Sequence, residues 1–287
     1  MGNSGALAFS GKKLLLAGLL LALGTGCSLA QAIGPVSINL EKTTVTQGEP
    51  VLVDVRVENQ SWPALDLDLG GDGKGNVLIG VKMPNGKKVW KPAPDVRAGV
   101  LVFLGGVHLQ LGETYSEALV LNEWFRFEEV GTYDVQVNLK APIRVGETIL
   151  PVTSFIQHLE VRAKDPSRLT AACEDLAARV QDRRTAQDAQ AAALALSYVD
   201  DVVAVRSLER VLRGPPGFEQ SAASGLARIG NDDAVAALIR SLGVSDELKR
   251  SSARAALQSI ASTTSDPAIR SRIGDELSRE RRRPRVF

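Results

Sequence analysis

From Val36 to Val161 the apolar residues fall in short alternating runs. Val51, Val53, Val55 and Val57 alternate with Leu52, Asp54, Arg56 and Glu58, a period of two with one buried face. Val36–Leu40, Val77–Met83, Glu117–Leu121, Tyr133–Leu139 and Phe155–Val161 read the same way. Gln47-Gly48-Glu49-Pro50, Asn85-Gly86 and the Gly70–Asn76 cluster punctuate them as turns. Short strands at close intervals predict an antiparallel sandwich or barrel.

At Lys164-Asp165-Pro166-Ser167 the pattern changes. Asp165 can cap a helix, and Pro166 suits a first helical position, where its missing N–H has no helical partner. Ala, Leu and Arg then replace the β-branched residues. The spacing predicts helices over 166–181, 184–198, 201–212, 218–229, 232–242, 246–261 and 266–280. Asp266-Pro267 repeats the Asp-Pro start, Gly230 and Gly243 suit helix ends, and Gly214-Pro215-Pro216-Gly217 is a loop. Within these helices the sequence repeats itself. Leu196, Val199, Leu208 and Leu212 recur as Leu226, Ile229, Leu238 and Leu242, and Leu257 and Ile260 recur one repeat further. A period of this size predicts stacked helical hairpins that offer partners an extended face.

Two resemblances sharpen these readings. The unit from Ser221 to Leu242 places Ala222, Leu226, Ile229 and Gly230 on a first helix, Asn231-Asp232-Asp233 in an acidic turn, and Ala234, Val235, Leu238 and Leu242 on a second. It resembles HEAT repeats, in particular the short kind of phycobilisome lyases; the likeness covers about 190–262 well and 166–189 weakly. The resemblance implies an α-solenoid. Some relatives of this repeat are iron hydroxylases with His-Glu pairs, but the only histidines here are His108 and His158, both in the strand-rich half. Gly131-Thr132-Tyr133-Asp134-Val135, after Glu128-Glu129, resembles the tyrosine corner of immunoglobulin-like domains, in which a Tyr hydroxyl bonds back to upstream backbone. Val135 stands where antibody domains have Cys, so the likeness is to the cysteine-free modules of bacterial surface proteins. The expected fold is therefore multidomain: an N-terminal all-β immunoglobulin-like sandwich over 33–164, an all-α HEAT-like helical solenoid over 165–280, and a basic tail over 281–287.

The first 32 residues predict a signal peptide. Lys12 and Lys13 precede an apolar run, Leu14 to Leu23, too short to span a bilayer permanently. Two processing sites compete. Ala30-Gln31-Ala32 has the small-x-small pattern and would leave Ile33 as the mature start. Gly24-Thr25-Gly26-Cys27 resembles a bacterial lipobox, which makes 1–26 a lipoprotein signal and Cys27 the lipidation candidate, although Gly24 departs from the branched apolar residue that motif wants. Either reading implies export to the periplasm or the cell exterior, with a lipid anchor only in the second.

Net charge is +1, so no global field draws nucleic acid, and none is expected as a partner. From residue 166 onward Lys249 is the only Lys among many Arg. Cys173 lies among Ala171, Ala172 and Leu176 and reads as a buried helix residue. Two histidines and one thiol beyond the leader do not supply a zinc site. Asp66, Asp68 and Asp72 miss the calcium-loop register, since Val77 and Ile79 fall where a bidentate Glu is needed. No nucleophile elbow, phosphate loop or dinucleotide fingerprint occurs, and no pair of carboxylates stands out for glycoside cleavage. No catalytic residue, metal ligand or cofactor is assigned. In Trp124-Phe125-Arg126-Phe127 a strand would set Trp124 and Arg126 on one face and Phe125 and Phe127 in the core, which makes Trp124 and Arg126 the candidate ligand contacts. The Arg-rich tail, Arg279 to Arg285, is a second candidate membrane contact beside a lipidated Cys27. The function expected is a non-enzymatic exported binding or scaffold protein that meets a protein partner through its helical repeats. The alternative is a carbohydrate-binding or accessory module of a cell-envelope enzyme system.

Overall fold

The structure is a computed structural model that describes residues 36–60, 63–67, 76–92, 106–139, 143–145, 148–150, 156–182 and 185–282. The signal segment, Cys27, Trp62, Asp68, Asp72 and residues 283–287 of the tail lie outside the described residues.

Among the described residues twelve strands form three sheets. The five-stranded sheet runs β2 (Thr44–Thr46), β12 (Ile156–Arg162), β9 (Gly131–Leu139), β5 (Val77–Lys82), β6 (Lys88–Pro92). The three-stranded sheet runs β1 (Val36–Leu40), β3 (Leu52–Glu58), β8 (Thr114–Val120). The four-stranded sheet runs β11 (Thr148–Leu150), β10 (Ile143–Val145), β4 (Ala64–Leu67), β7 (Val107–Gln110). Alternation sets what is buried: Val53, Val55 and Val57 of β3 share one apolar core with Ile79 and Val81 of β5 and Val135 and Val137 of β9. The pairing is not wholly antiparallel, because β2 lies parallel to β12 with Val45 opposite Val161. The Tyr133 hydroxyl donates to the Glu129 carbonyl at 2.9 Å and accepts from the Glu129 N–H at 3.0 Å, which closes a tyrosine corner beneath the Phe127 ring.

Seven α-helices follow among the described residues: α1 (Pro166–Asp182), α2 (Ala186–Ser197), α3 (Val205–Arg213), α4 (Glu219–Ile229), α5 (Asp232–Ser241), α6 (Glu247–Thr263) and α7 (Pro267–Arg282). Side chains cap most of their starts, but not those of α3 and α4. Asp165 accepts from the N–H groups of Ser167 and Arg168, Asn231 from Ala234, Asp246 from Leu248, and Asp266 from Ala268. The segment expected to be helical from 201 begins as a 3-10 turn, Val202–Ala204, capped by Asp201, before α3. Helices α2, α4 and α6 stack in one layer and α1, α3, α5 and α7 in another. Leu196, Leu208, Leu226, Leu238 and Leu257 are fully buried between them. Gly225 permits the closest approach: a Cβ there would lie 2.9 Å from Ser197 Cα and 2.8 Å from Leu208 Cδ2. Arg228 reaches back one repeat to the Ser197 carbonyl, and Arg240 to Glu209 at 2.7 and 2.8 Å.

The expected division into an all-β domain followed by an all-α domain is overturned. Residues Val36–Phe287 form one compact unit, a mixed α/β fold in which the core of the helices takes in residues of the sheets. The reason is a seam that the alternation pattern conceals. Leu52 and its cross-strand partner Val120 sit in a polar register, yet they are buried with Leu169, Cys173 and Leu176 of α1. Helix α2 packs directly on β8, and Gln187 of α2 donates to the Ser116 carbonyl at 2.8 Å. Polar bonds fasten the same seam. Glu49, with a side chain 1% exposed, accepts from Arg168 Nε at 3.1 Å, Lys42 Nζ at 2.9 Å and the Thr46 N–H at 3.0 Å. Thr46 Oγ1 donates to the Ala163 carbonyl at 2.8 Å and accepts from the Asp165 N–H at 2.7 Å.

Candidate functional site

Where the turn after β2 meets the α2–α3 connection, the seam opens into a cleft of about 320 Å³. Gln47, Asn122, Arg126 and Glu128 line its sheet side and Lys164, Tyr198, Asp200 and Asp201 its helix side. Local structure fixes most of these groups. Gln47 bridges the walls, donating to the Glu128 carbonyl and accepting from the Lys164 N–H at 3.1 Å. Asn122 accepts from the Val51 N–H at 2.7 Å. Asp201 is held by Lys164 and by the Val203 N–H at 3.0 Å, and those two donors, Lys164 first, draw its carboxyl below the usual range. Arg228 lies over the Tyr198 ring at 4.2 Å. The mouth is looser. Arg126 stands 3.5 Å from Asp200 and 3.8 Å from Glu128, beyond hydrogen-bond length, and Arg228 is 3.5 Å from the other Asp200 oxygen.

The two contacts expected from sequence separate here. Arg126 reaches the cleft with an exposed side chain. Trp124 is 4% exposed and packs in the sheet core with Phe125 and Phe127. The alternation on which it was placed fails because the segment is not a strand. The chain leaves β8 in a 3-10 turn, Leu121–Glu123, and Trp124 has a right-handed helical backbone, so three aromatics turn inward and Arg126 alone turns out. The Trp124 carbonyl accepts from Lys91 Nζ at 2.8 Å. Trp90 is folded over Gly80 of the neighbouring strand, with Lys88 Nζ at 4.9 Å from its ring. Neither ring lies open for a sugar face. Asp200 and Asp201 are neighbours in the connection between α2 and α3. Asp201 caps, while Asp200 faces the cleft, and nothing in the sequence separates the two roles. Gln47 and Lys164 carry no motif; chain positions far apart bring them together.

Among the described residues no group of three or more His, Cys, Asp or Glu side chains is placed to hold a metal ion. His108 bonds Asp66 at 2.5 Å and His158 bonds Asp134 at 2.8 Å, both on exposed strand surface. The His158 bond, more than the nearby Lys82, draws the Asp134 carboxyl down. Cys173 is fully buried and burial pushes its thiol up to about 12, so it is inert as a nucleophile. No helix among the described residues is long and apolar enough to cross a membrane.

No protein-family model and no curated protein matches the chain. Among solved structures it is similar to the sporulation control protein Spo0M of Bacillus subtilis, at 18% identity and a TM-score of 0.28 over 50% of this chain and 55% of that one. It is also similar to a beta-glucosidase of Listeria innocua, at 17% identity and a TM-score of 0.25 over 45% of this chain and 16% of that one. The chain thus matches about half the length of the first and a small part of the second.

Proposed function

We propose that this is a non-enzymatic, exported binding or scaffold protein of the cell envelope, and that its helical layers meet a protein partner. The observation that carries the reading is the stacking of α1 to α7 in two layers whose buried leucines recur at the repeat spacing. Beyond the seam, where α1 and α2 pack on the strands, helices stacked in this way leave outer faces for partners, which is how repeat scaffolds bind. The resemblance of Ser221–Leu242 to HEAT repeats fits the same reading, as does the leader with its two candidate processing sites. The sheet part, fastened through Glu49 and the cleft, would fix the orientation in which those faces are presented.

The test is photo-crosslinking in intact cells. A benzoylphenylalanine is placed in turn at Arg126 on the cleft, at Val202 before α3, and at Leu248 on α6. The intact mass of the mature protein reports which leader site is used. The reading expects discrete adducts with another envelope protein from at least one position, and a mature chain beginning at Cys27 or Ile33. A retained leader, or no protein adduct from any position, overturns it.

A further inference from the structure

Helix α3 has two unlike sides. Val205, Leu208, Val211 and Leu212 are buried. Arg206, Glu209, Arg210 and Arg213 stand at i, i+3, i+4 and i+7, which puts them on one outward face. Glu209 is committed: Arg240 of the next outer-layer helix grips it at 2.7 and 2.8 Å, and Arg213 lies 3.7 Å away. Arg206 and Arg210 are exposed and make no ion pair or side-chain hydrogen bond with any described residue. The face therefore carries three guanidinium groups against one carboxylate, Glu209, and Arg240 of α5 adds a fourth beside it.

Helix stability accounts for only part of it, since Arg210 and Arg213 stand in the last turn of α3 and Arg206 does not. Cations favour the last turn of a helix, where they offset the negative end of its dipole. That end of α3 is already served by Lys249, whose Nζ donates to the carbonyls of Arg213 at 3.1 Å and Gly214 at 2.7 Å. Arg206 follows the 3-10 turn Val202–Ala204, whose start Asp201 caps, and the first α-helical turn beside it holds no acidic residue. The Arg206 and Arg210 guanidinium groups therefore have no carboxylate of their own among the described residues, and one from outside the chain would pair with them.

We propose that this face, Arg206, Arg210 and Arg213 with Arg240 beside them, docks an acidic segment of a partner protein that carries carboxylates one helical turn apart. The proposal rests on the reading of the helical layers as a protein-binding scaffold and names the surface and chemistry. Planar carboxylates match guanidinium groups in paired hydrogen bonds. A lipid surface fits less well. The flanking helices of the same layer expose Glu174 and Asp182 of α1 and Asp232 and Asp233 of α5, and an anionic plane would press against these as well as the arginines. A single narrow chain laid along α3 would meet fewer of them, Asp233 beside Arg240 among these.

The experiment uses the full chain and a short fluorescent peptide with glutamates spaced one helical turn apart, beside the same peptide with glutamines. Anisotropy should show binding to the glutamate peptide that weakens as salt is added, little binding to the glutamine peptide, and a loss of about tenfold in R206Q/R210Q. Both positions are exposed, so the variant should melt with the parent; R210Q alone is the fallback and should lose a smaller share. Equal binding of the two peptides, or binding unchanged in R206Q/R210Q, overturns the proposal. So does retention of the chain on vesicles with about 30% anionic lipid, if R206Q/R210Q abolishes it while peptide binding is absent. Crosslinks from Arg126 or Leu248 without any from Val202 would leave the scaffold reading standing and remove this surface from it.

Discussion

The sheet part and the helical part of this molecule are both apolar inside, but they reach close packing by different means. In the sheets, β-branched and aromatic residues fill the space, and where the backbone is thin a ring covers it, as Trp90 covers Gly80. In the helices, alanine and glycine let backbones approach. Ala189, Ala192, Ala193 and Ala195 of α2 are all buried, and Gly225 meets the backbone of Ser197. A ring over a glycine is the end of a side chain that can swing aside. A backbone against a glycine cannot move without moving its helix. The helical part should therefore tolerate added volume less well, although its helices are local in sequence.

The largest break is truncation of the interhelical layer. Leu226→Ala should cost about 2–5 kcal/mol in denaturant melts. Because sheets and helices form one unit, tryptophan fluorescence, which comes only from the strand half, and the far-ultraviolet helix signal should shift together. Separate midpoints would restore two independent domains. The comparison of glycines is sharper. Gly225→Ala should cost roughly 1–3 kcal/mol by overpacking, and Gly80→Ala clearly less, since only Trp90 must rotate; equal losses would refute the distinction. At the seam, Arg168→Ala takes one of two cations from buried Glu49 and should cost about 2 kcal/mol, less than loss of a sole partner because Lys42 remains. Tyr133→Phe keeps the ring in the core and deletes only the corner bonds to Glu129, a loss of about 1 kcal/mol.

The smallest effect is linked to pH. Arg240 holds the Glu209 carboxyl below its ordinary value of 4.5. A carboxyl whose folded value is depressed contributes stability in full above its unfolded value and loses it as pH falls through the folded one. The parent and Arg240→Gln should therefore differ at neutral pH and converge in acid. A difference that persists at the acid end would show that Arg240 acts by packing instead.

Much of the helical part was legible from spacing. Asp-Pro starts, the acidic turn at Asn231, and the recurring leucines depend on neighbours a few residues apart, so their physics lies within a short window of chain. The six alternating runs were legible for the same reason. The short strands β2, β4, β6, β7, β10 and β11 were not, because three to five residues give too few alternations to register. Trp124 was misplaced by extending alternation into a segment where the chain turns. The cleft was legible only through Arg126. Its other walls are brought together from turns far apart in the chain, and Leu52, whose burial marks the seam, looks from sequence like an apolar residue stranded on a polar face.

What the sequence determined by itself was therefore local: the longer strands, which segments coil as helices, the helix starts marked by a capping Asp or Asn, and which leucines recur. These follow from periodicity and capping, which act over a few residues. What only the tertiary structure decided was that both halves make one body, that Glu49 and Arg168 fasten it, and that Arg206 and Arg210 are left without partners on an open face. Those outcomes depend on which surfaces meet after the elements form. A single sequence does not encode that in any short pattern, because the partners are separated by as many as 138 residues of chain.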